Sequence, residues 1–173
     1  AVGALVTPVS FELHLMVNNP LPIIEAWTKN VPGTMRAIIH AESGRPLGTV
    51  LELIHQNFKL EAGLALNPET PMQEVHDLLH DLDLDEVLIM GVHPGASGKK
   101  FEGEYIYEKI HALCSHIPNM PIGIDGGVNE DRIEKLIKAG ASRLIVGSAI
   151  FAQKDPAASL RKLQKLVLNA EKK

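Results

Sequence analysis

Cysteine is almost absent from this chain: Cys114 is the single one among 173 residues. One thiol excludes a disulfide framework and points to a reducing compartment. An excess of charge of either sign is missing too. The 17 Lys and Arg nearly balance 21 Asp and Glu, leaving a net charge of -4 and a pI of about 6.1. Neither nucleic acid nor an anionic membrane finds a basic surface here. No apolar run reaches the roughly 18 residues of a membrane span, and no signal-peptide pattern is present. Low-complexity segments, linkers and a glycine-rich dinucleotide fingerprint after the first strand are also lacking. The expectation from these absences is a cytoplasmic protein with no nucleic-acid or membrane partner.

What is present is ordinary for one globular domain, 45% hydrophobic and 22% charged. Six strand candidates recur: Phe11–Val17, Met35–Ala41, Leu60–Leu66, Glu86–Val92, Pro121–Asp125 and Arg143–Val146. Helical patterns follow each of them, over Leu21–Lys29, Pro46–Gln56, Pro71–Asp81, Glu104–His116, Glu130–Lys138 and Pro156–Asn169. In Glu130–Lys138 one face carries Ile133, Leu136 and Ile137 while Glu134, Lys135 and Lys138 lie opposite. "NPETP" predicts a helix start with Thr70 as cap and Pro71 at the first position. "KAGA" predicts a helix end at Gly140. Strand and helix alternate with a period of about 25 residues, and strands such as "VLIMGV" are apolar on both faces, the pattern of parallel strands covered by helices.

A doubly wound sheet and a (βα) barrel both fit that alternation. The polar residues arbitrate, because they gather after the carboxyl ends of strands: His14, His40 and Glu42, Asn67, His93, Asp125 and Gly147-Ser148. A barrel collects all such ends around one pocket, whereas an open sheet spreads them along a crevice. In "FELHLMVNNP" the two-residue alternation sets Glu12, His14 and Met16 opposite Phe11, Leu13, Leu15 and Val17. In a barrel, that places His14 on the interior side.

The ordered set "HLMV", "HAE", "GLALNPETP", "VLIMGVHPGASGKKF", "IGIDGGVN" and "LIVGSAIF" resembles the successive strand-end motifs of ribulose-phosphate 3-epimerases, from about Ala1 to Phe151. The resemblance implies a TIM (βα)8 barrel of the ribulose-phosphate-binding type, of which 1–173 would be a single partial domain carrying strands 3 to 8. It implies an isomerase that interconverts ribulose 5-phosphate and xylulose 5-phosphate, or a related ketose phosphate, by metal-assisted proton transfer at C3. It also implies one divalent metal ion (zinc or iron first, then manganese, cobalt or magnesium), a small phosphorylated sugar as ligand, and a homo-oligomer.

Residue by residue, His14 matches the metal-ligand histidine of "HLM". Asp125 of "DGG" matches the metal-bound carboxylate that serves as catalytic acid or base. Met16 and Met90 match methionines packed against the sugar. Gly95 and Gly98, Gly126 and Gly127, and Gly147 and Ser148 match the phosphate-binding loops. Two departures stand out. The serine, histidine and second aspartate that the family carries on its first two strands have no counterpart in these 173 residues, and "AVGAL" reads as the end of a helix from a preceding unit. The family's asparagine followed by "PGFGGQ" is here His93 followed by "PGASGKK". Six units by themselves are expected to aggregate or to pair with a second copy.

The chemistry agrees with the resemblance. Epimerisation beside a carbonyl needs a base on one face of the carbon, an acid on the other, and stabilisation of the enediolate between them. Glycine-rich turns bind phosphate through backbone N–H groups without needing basic side chains. Plainer roles exist for the same residues. His14 could be a satisfied interior histidine and Asp125 a turn residue. His40 reads as a hydrogen-bonding support for the pocket, and His55, His76, His80, His111 and His116 as helix residues. Cys114 reads as a small buried hydrophobe, and Lys99 or Lys100 either adds charge to the phosphate loop or is solvated. A non-catalytic phosphosugar binder is the alternative function. A related decarboxylase or synthase would need an Asp-x-Lys-x-x-Asp signature, which is absent.

Overall fold

A computed structural model describes residues 9–95 and 100–172. The readings of "AVGAL", Gly98 and Lys99 lie outside the described residues. The chain divides into two compact units, Ala1–Leu66 with Pro71–Glu86, and Asn67–Thr70 with Val87–Lys173.

The first unit contains β1 (Phe11–Leu15), α1 (Leu21–Asn30), β2 (Thr34–His40), a 3-10 turn (Ala41–Ser43), α2 (Leu47–Gln56), β3 (Glu61–Leu66) and α3 (Met72–Asp81). Its strands pair in parallel, β1 with β2 and β2 with β3. The period-2 alternation sorts their side chains. Leu13, Leu15, Ala37, Ile39, Ala62, Leu64 and Leu66 are buried, each worth up to about 1.5–3 kcal/mol when fully covered. The opposite face reads in layers. Glu12, Arg36 and Glu61 are in register at the strand starts, then His14, Ile38 and Gly63, then His40 and Ala65. Arg36 is buried and bonds Glu86 Oε2 at 2.8 Å, Glu61, and Glu12 at 3.5 Å. Burial opposes the charge on Arg36, but these carboxylates outweigh it and push the guanidinium pKa up. A charged layer therefore closes the amino ends of these strands, and the imidazoles stand towards their carboxyl ends.

The second unit contains β4 (Glu86–Met90, from Val87 onward), α4 (Tyr105–His116), β5 (Ile122–Asp125), α5 (Glu130–Ala139), β6 (Arg143–Ile145), the short α6 (Ser148–Phe151) and α7 (Pro156–Ala170). β4 pairs in parallel with β5, and β5 with β6. α5 packs on α4 and α7, burying Ile133 and Leu136 as the 3.6-residue period requires. Gly140 ends α5 in the left-handed region, and Asp155 caps α7 through the N–H of Ala158 at 2.9 Å.

Every strand and helix expected from the sequence is present, with ends shifted by one or two residues. One start differs in kind: α3 begins at Met72 rather than Pro71, because Pro71 supplies a turn carbonyl that accepts from Glu74 N–H at 3.1 Å. Cys114 is half-buried rather than buried. Its Sγ donates to Gly140 O at 3.3 Å, and burial pushes its thiol pKa up, so it is a poor nucleophile.

Candidate active site

In the first unit, parallel register puts His14 and His40 on one face, two residues apart in stagger. Their Nε2 atoms are 2.9 Å apart. The rings are within 9° of parallel with centroids 5.0 Å apart. One Nε2 therefore carries a proton and the other accepts it. His40 is 6% exposed, and its Nδ1 lies 3.4 Å from Glu42 Oε2. A carboxylate thus stands behind one imidazole, which orients a second. Met16, just past the end of β1, is 44% exposed.

In the second unit, β4 and β5 set Met90 directly beside Asp125. Met90 is buried and Asp125 partly open. Past these two residues the chains stay together, with Gly91 N–H donating to Asp125 O at 2.7 Å and Glu102 N–H to Gly91 O at 3.0 Å. Gly126 and Gly127 follow with φ of 101° and 70°, a sequence of left-handed residues that side chains resist. Space demands glycine here as well. A Cβ on Gly126 would lie 2.5 Å from Val92 Cγ2, and one on Gly127 would lie 3.0 Å from the Phe101 ring.

A cleft of about 540 Å³ opens beside this turn, lined by Lys100, Phe101, Gly127, Asn129, Arg132 and Ser148 among others. It brings the "DGG" and "GSA" loops to one wall. Gly147 precedes α6, and its carbonyl accepts from Ile150 and Phe151 N–H at 3.0 Å. Gly95 has φ of 101° with open space around it. His93, the departure from the family pattern, is half exposed and lies 3.3 Å from Glu69 and 3.7 Å from Glu102.

Two further residues were not singled out from the sequence. Lys109 is buried, and its ammonium donates to the carbonyls of Asn67 and Thr70 at 2.7 Å and of Pro68 at 3.2 Å. It ties the "NPET" loop to α4 with all three of its protons. Its signal was legible: Ile106, Lys109, Ile110 and Leu113 share one apolar stripe, where a lysine has no reason to be unless something receives its charge. Arg132 donates from Nη1 to Gly127 O at 3.0 Å and lies over the Phe101 ring at 4.8 Å. Its only trace in the sequence is a cation one turn into the helix that follows a glycine pair.

Known proteins resemble the chain along most of its length. A family profile described as "Ribulose-phosphate 3 epimerase family" matches residues 2–151. A ribulose-phosphate 3-epimerase of Bacillus subtilis (strain 168) is 35% identical over 162 residues, covering 87% of this chain and 69% of that protein. One from Aquifex aeolicus (strain VF5) is 35% identical over 163 residues, covering 92% and 71%. Among solved structures, KGPDC from Streptococcus mutans superposes with a TM-score of 0.69 at 14% identity, covering 94% of this chain and 74% of that one. That likeness concerns the fold alone, and together with the parallel strands it makes the chain part of a TIM barrel. By profile and by identity, the chain belongs to the ribulose-phosphate 3-epimerase family.

Proposed function

We propose that this chain is the larger part of a sugar-phosphate epimerase that interconverts ribulose 5-phosphate and xylulose 5-phosphate, or a closely related ketose phosphate pair. The observation that carries the reading is the register of Met90 beside Asp125, with the Gly126–Gly127 turn continuing directly from that carboxylate. Such an arrangement sets a proton-transferring group one short turn from backbone N–H groups suited to a phosphate. The Asp125 carboxylate removes the C3 proton of the ketose phosphate, and the electron pair moves onto the C2 oxygen to give an enediolate. Inversion then needs a proton delivered to the opposite face of C3 by a second acid, the role the family gives to an aspartate without counterpart in these 173 residues, while the abstracted proton stays on Asp125 until solvent removes it. Met90, buried beside Asp125, offers apolar surface to the reacting carbons, the role the resemblance also implies for Met16. Gly95, Gly126, Gly127, Gly147 and Ser148 receive the phosphate.

The resemblance implies a divalent ion, of whose ligands these residues supply two, fewer than the roughly four that zinc takes. His14 is an imidazole held by a second imidazole with a carboxylate behind it, the support that metal-ligating histidines characteristically have. The family resemblance makes Asp125 the other ligand, and a carboxylate oxygen, like an imidazole nitrogen, suits zinc, ferrous iron or manganese. Such an ion would supply Lewis acidity to the developing negative charge. We read residues 1–173 as one partial barrel domain acting in the cytoplasm as a homo-oligomer.

The test is Asp125→Asn in a phosphopentose epimerase assay. A carboxamide cannot take the proton, so turnover is expected to fall by about 10²–10⁴-fold while the circular dichroism spectrum is retained. Unchanged turnover would overturn the assignment.

A further inference from the structure

Arg132 lies outside every motif that carries the family resemblance, yet it bonds the glycine turn directly. Its Nη1 donates to the Gly127 carbonyl at 3.0 Å, and its guanidinium carbon sits 4.8 Å from the centre of the Phe101 ring. Phe101 is buried and abuts Gly127, where a Cβ would meet its ring at 3.0 Å. The turn is thus held by two groups, an aromatic ring packed on Gly127 and a guanidinium that lies over that ring and bonds the Gly127 carbonyl. The other charged groups lining the cleft differ. Lys100 and Asp131 are exposed, and Glu130 is engaged by Lys162.

We propose that Arg132 is a positioning and affinity-setting residue for the phosphate end of the sugar phosphate, an inference that rests on the phosphate-site reading above. Two effects follow from its placement. Two consecutive glycines with positive φ are free to leave that conformation, and an anchored Gly127 carbonyl removes much of that freedom before the ligand arrives. A guanidinium also stays charged at any working pH. It therefore lends the cleft a fixed cation, where backbone N–H groups alone would supply only partial charges. Lysine in its place would keep the charge but lose both the planar face on Phe101 and the forked donors.

The experiment compares the wild type with Arg132→Met, Arg132→Gln and Arg132→Lys. Binding of inorganic phosphate is measured by calorimetry at several salt concentrations, and kcat and KM are measured with the ketose phosphate. Loss of a charge-assisted anchor is expected to weaken phosphate binding roughly tenfold or more in the Met and Gln variants. KM should rise in parallel, kcat should stay within about twofold, and the salt dependence of phosphate binding should flatten. Lys should restore the salt dependence but only part of the affinity. Phosphate binding and KM unchanged in Met and Gln would overturn the proposal, as would a drop in kcat and thermal midpoint with phosphate affinity intact. The Lys and Gln variants keep the test open if Met does not fold. The calorimetric arm needs no turnover. Arg132-dependent phosphate binding in a protein without epimerase activity would support this inference while the proposed function fell.

Discussion

At the scale of single residues, the informative side chains are those whose partners lie far along the chain. Asp85 is the clearest case with a consequence for pH. Its Oδ2 receives Ala62 N–H at 2.7 Å and faces His55 Nε2 at 2.8 Å, while Asp83 approaches the other nitrogen of the same ring at 3.4 Å. Burial pushes the Asp85 carboxyl pKa up, but the His55 bond, the Ala62 N–H and the nearby positive charges outweigh it, so the net shift is downward. A carboxyl whose folded pKa lies below its unfolded value gives its full stabilisation above the ordinary aspartate range. That stabilisation is lost as pH falls from there through the lower, folded value. Asp85→Asn is therefore expected to flatten the acid limb of a urea-unfolding stability profile and to leave its neutral plateau lower. An acid limb of unchanged slope would contradict the role. The sequence shows His55 only as a helix residue, since nothing local in "ELIHQN" points to a loop 30 residues away.

At the scale of elements, the layering of β1, β2 and β3 depends on one small residue. Gly63 is in register with Ile38, and a Cβ there would lie 2.8 Å from Ile38 Cγ1. Ile38 is 2% exposed, in the same layer as His14 and one layer from His40. Gly63→Ala is expected to cost about 1–3 kcal/mol by overpacking, read as a lower urea midpoint. Ile38→Ala removes the Cγ1 that the added Cβ would meet, so the double variant should lose less than the sum of the two single changes. Strict additivity of the two changes would show that the close approach is not what excludes alanine. The elements themselves were legible in the sequence because the signals are local. A two-residue period marks a strand with one buried face, a 3.6-residue period marks a helix, and glycine and proline mark the ends. The start of α3 was misplaced by one residue because Pro71 suits both the first helical position and the turn before it.

At the scale of the whole molecule, the surface left by these elements carries the last prediction. All three residues of β6 are half-exposed, and β6 pairs with β5 among the described strands. Phe151 on α6 is 77% exposed, and Met16 and Val17 are exposed at the end of β1. Apolar side chains and strand groups in that state favour association. The 173-residue polypeptide is expected to elute as dimers or larger species in size-exclusion chromatography with light scattering, and a concentration-independent monomer would refute this. Charge offers little opposition, since -4 is the small remainder of 17 cationic and 21 anionic side chains. By itself the sequence determined the alternation of strands and helices, the barrel class and the strand-end motifs. Each of these follows from periodicity, turn chemistry or the ordered motifs, which the chain carries within a few residues of each position. Only the tertiary structure decided that His40 orients His14, that Lys109 ties down the Asn67–Thr70 loop, and that Arg132 clamps Gly127. Those contacts depend on strand register, helix rotation and the paths of loops, and pairs such as His14 and His40, 26 residues apart, meet only after the apolar faces have packed.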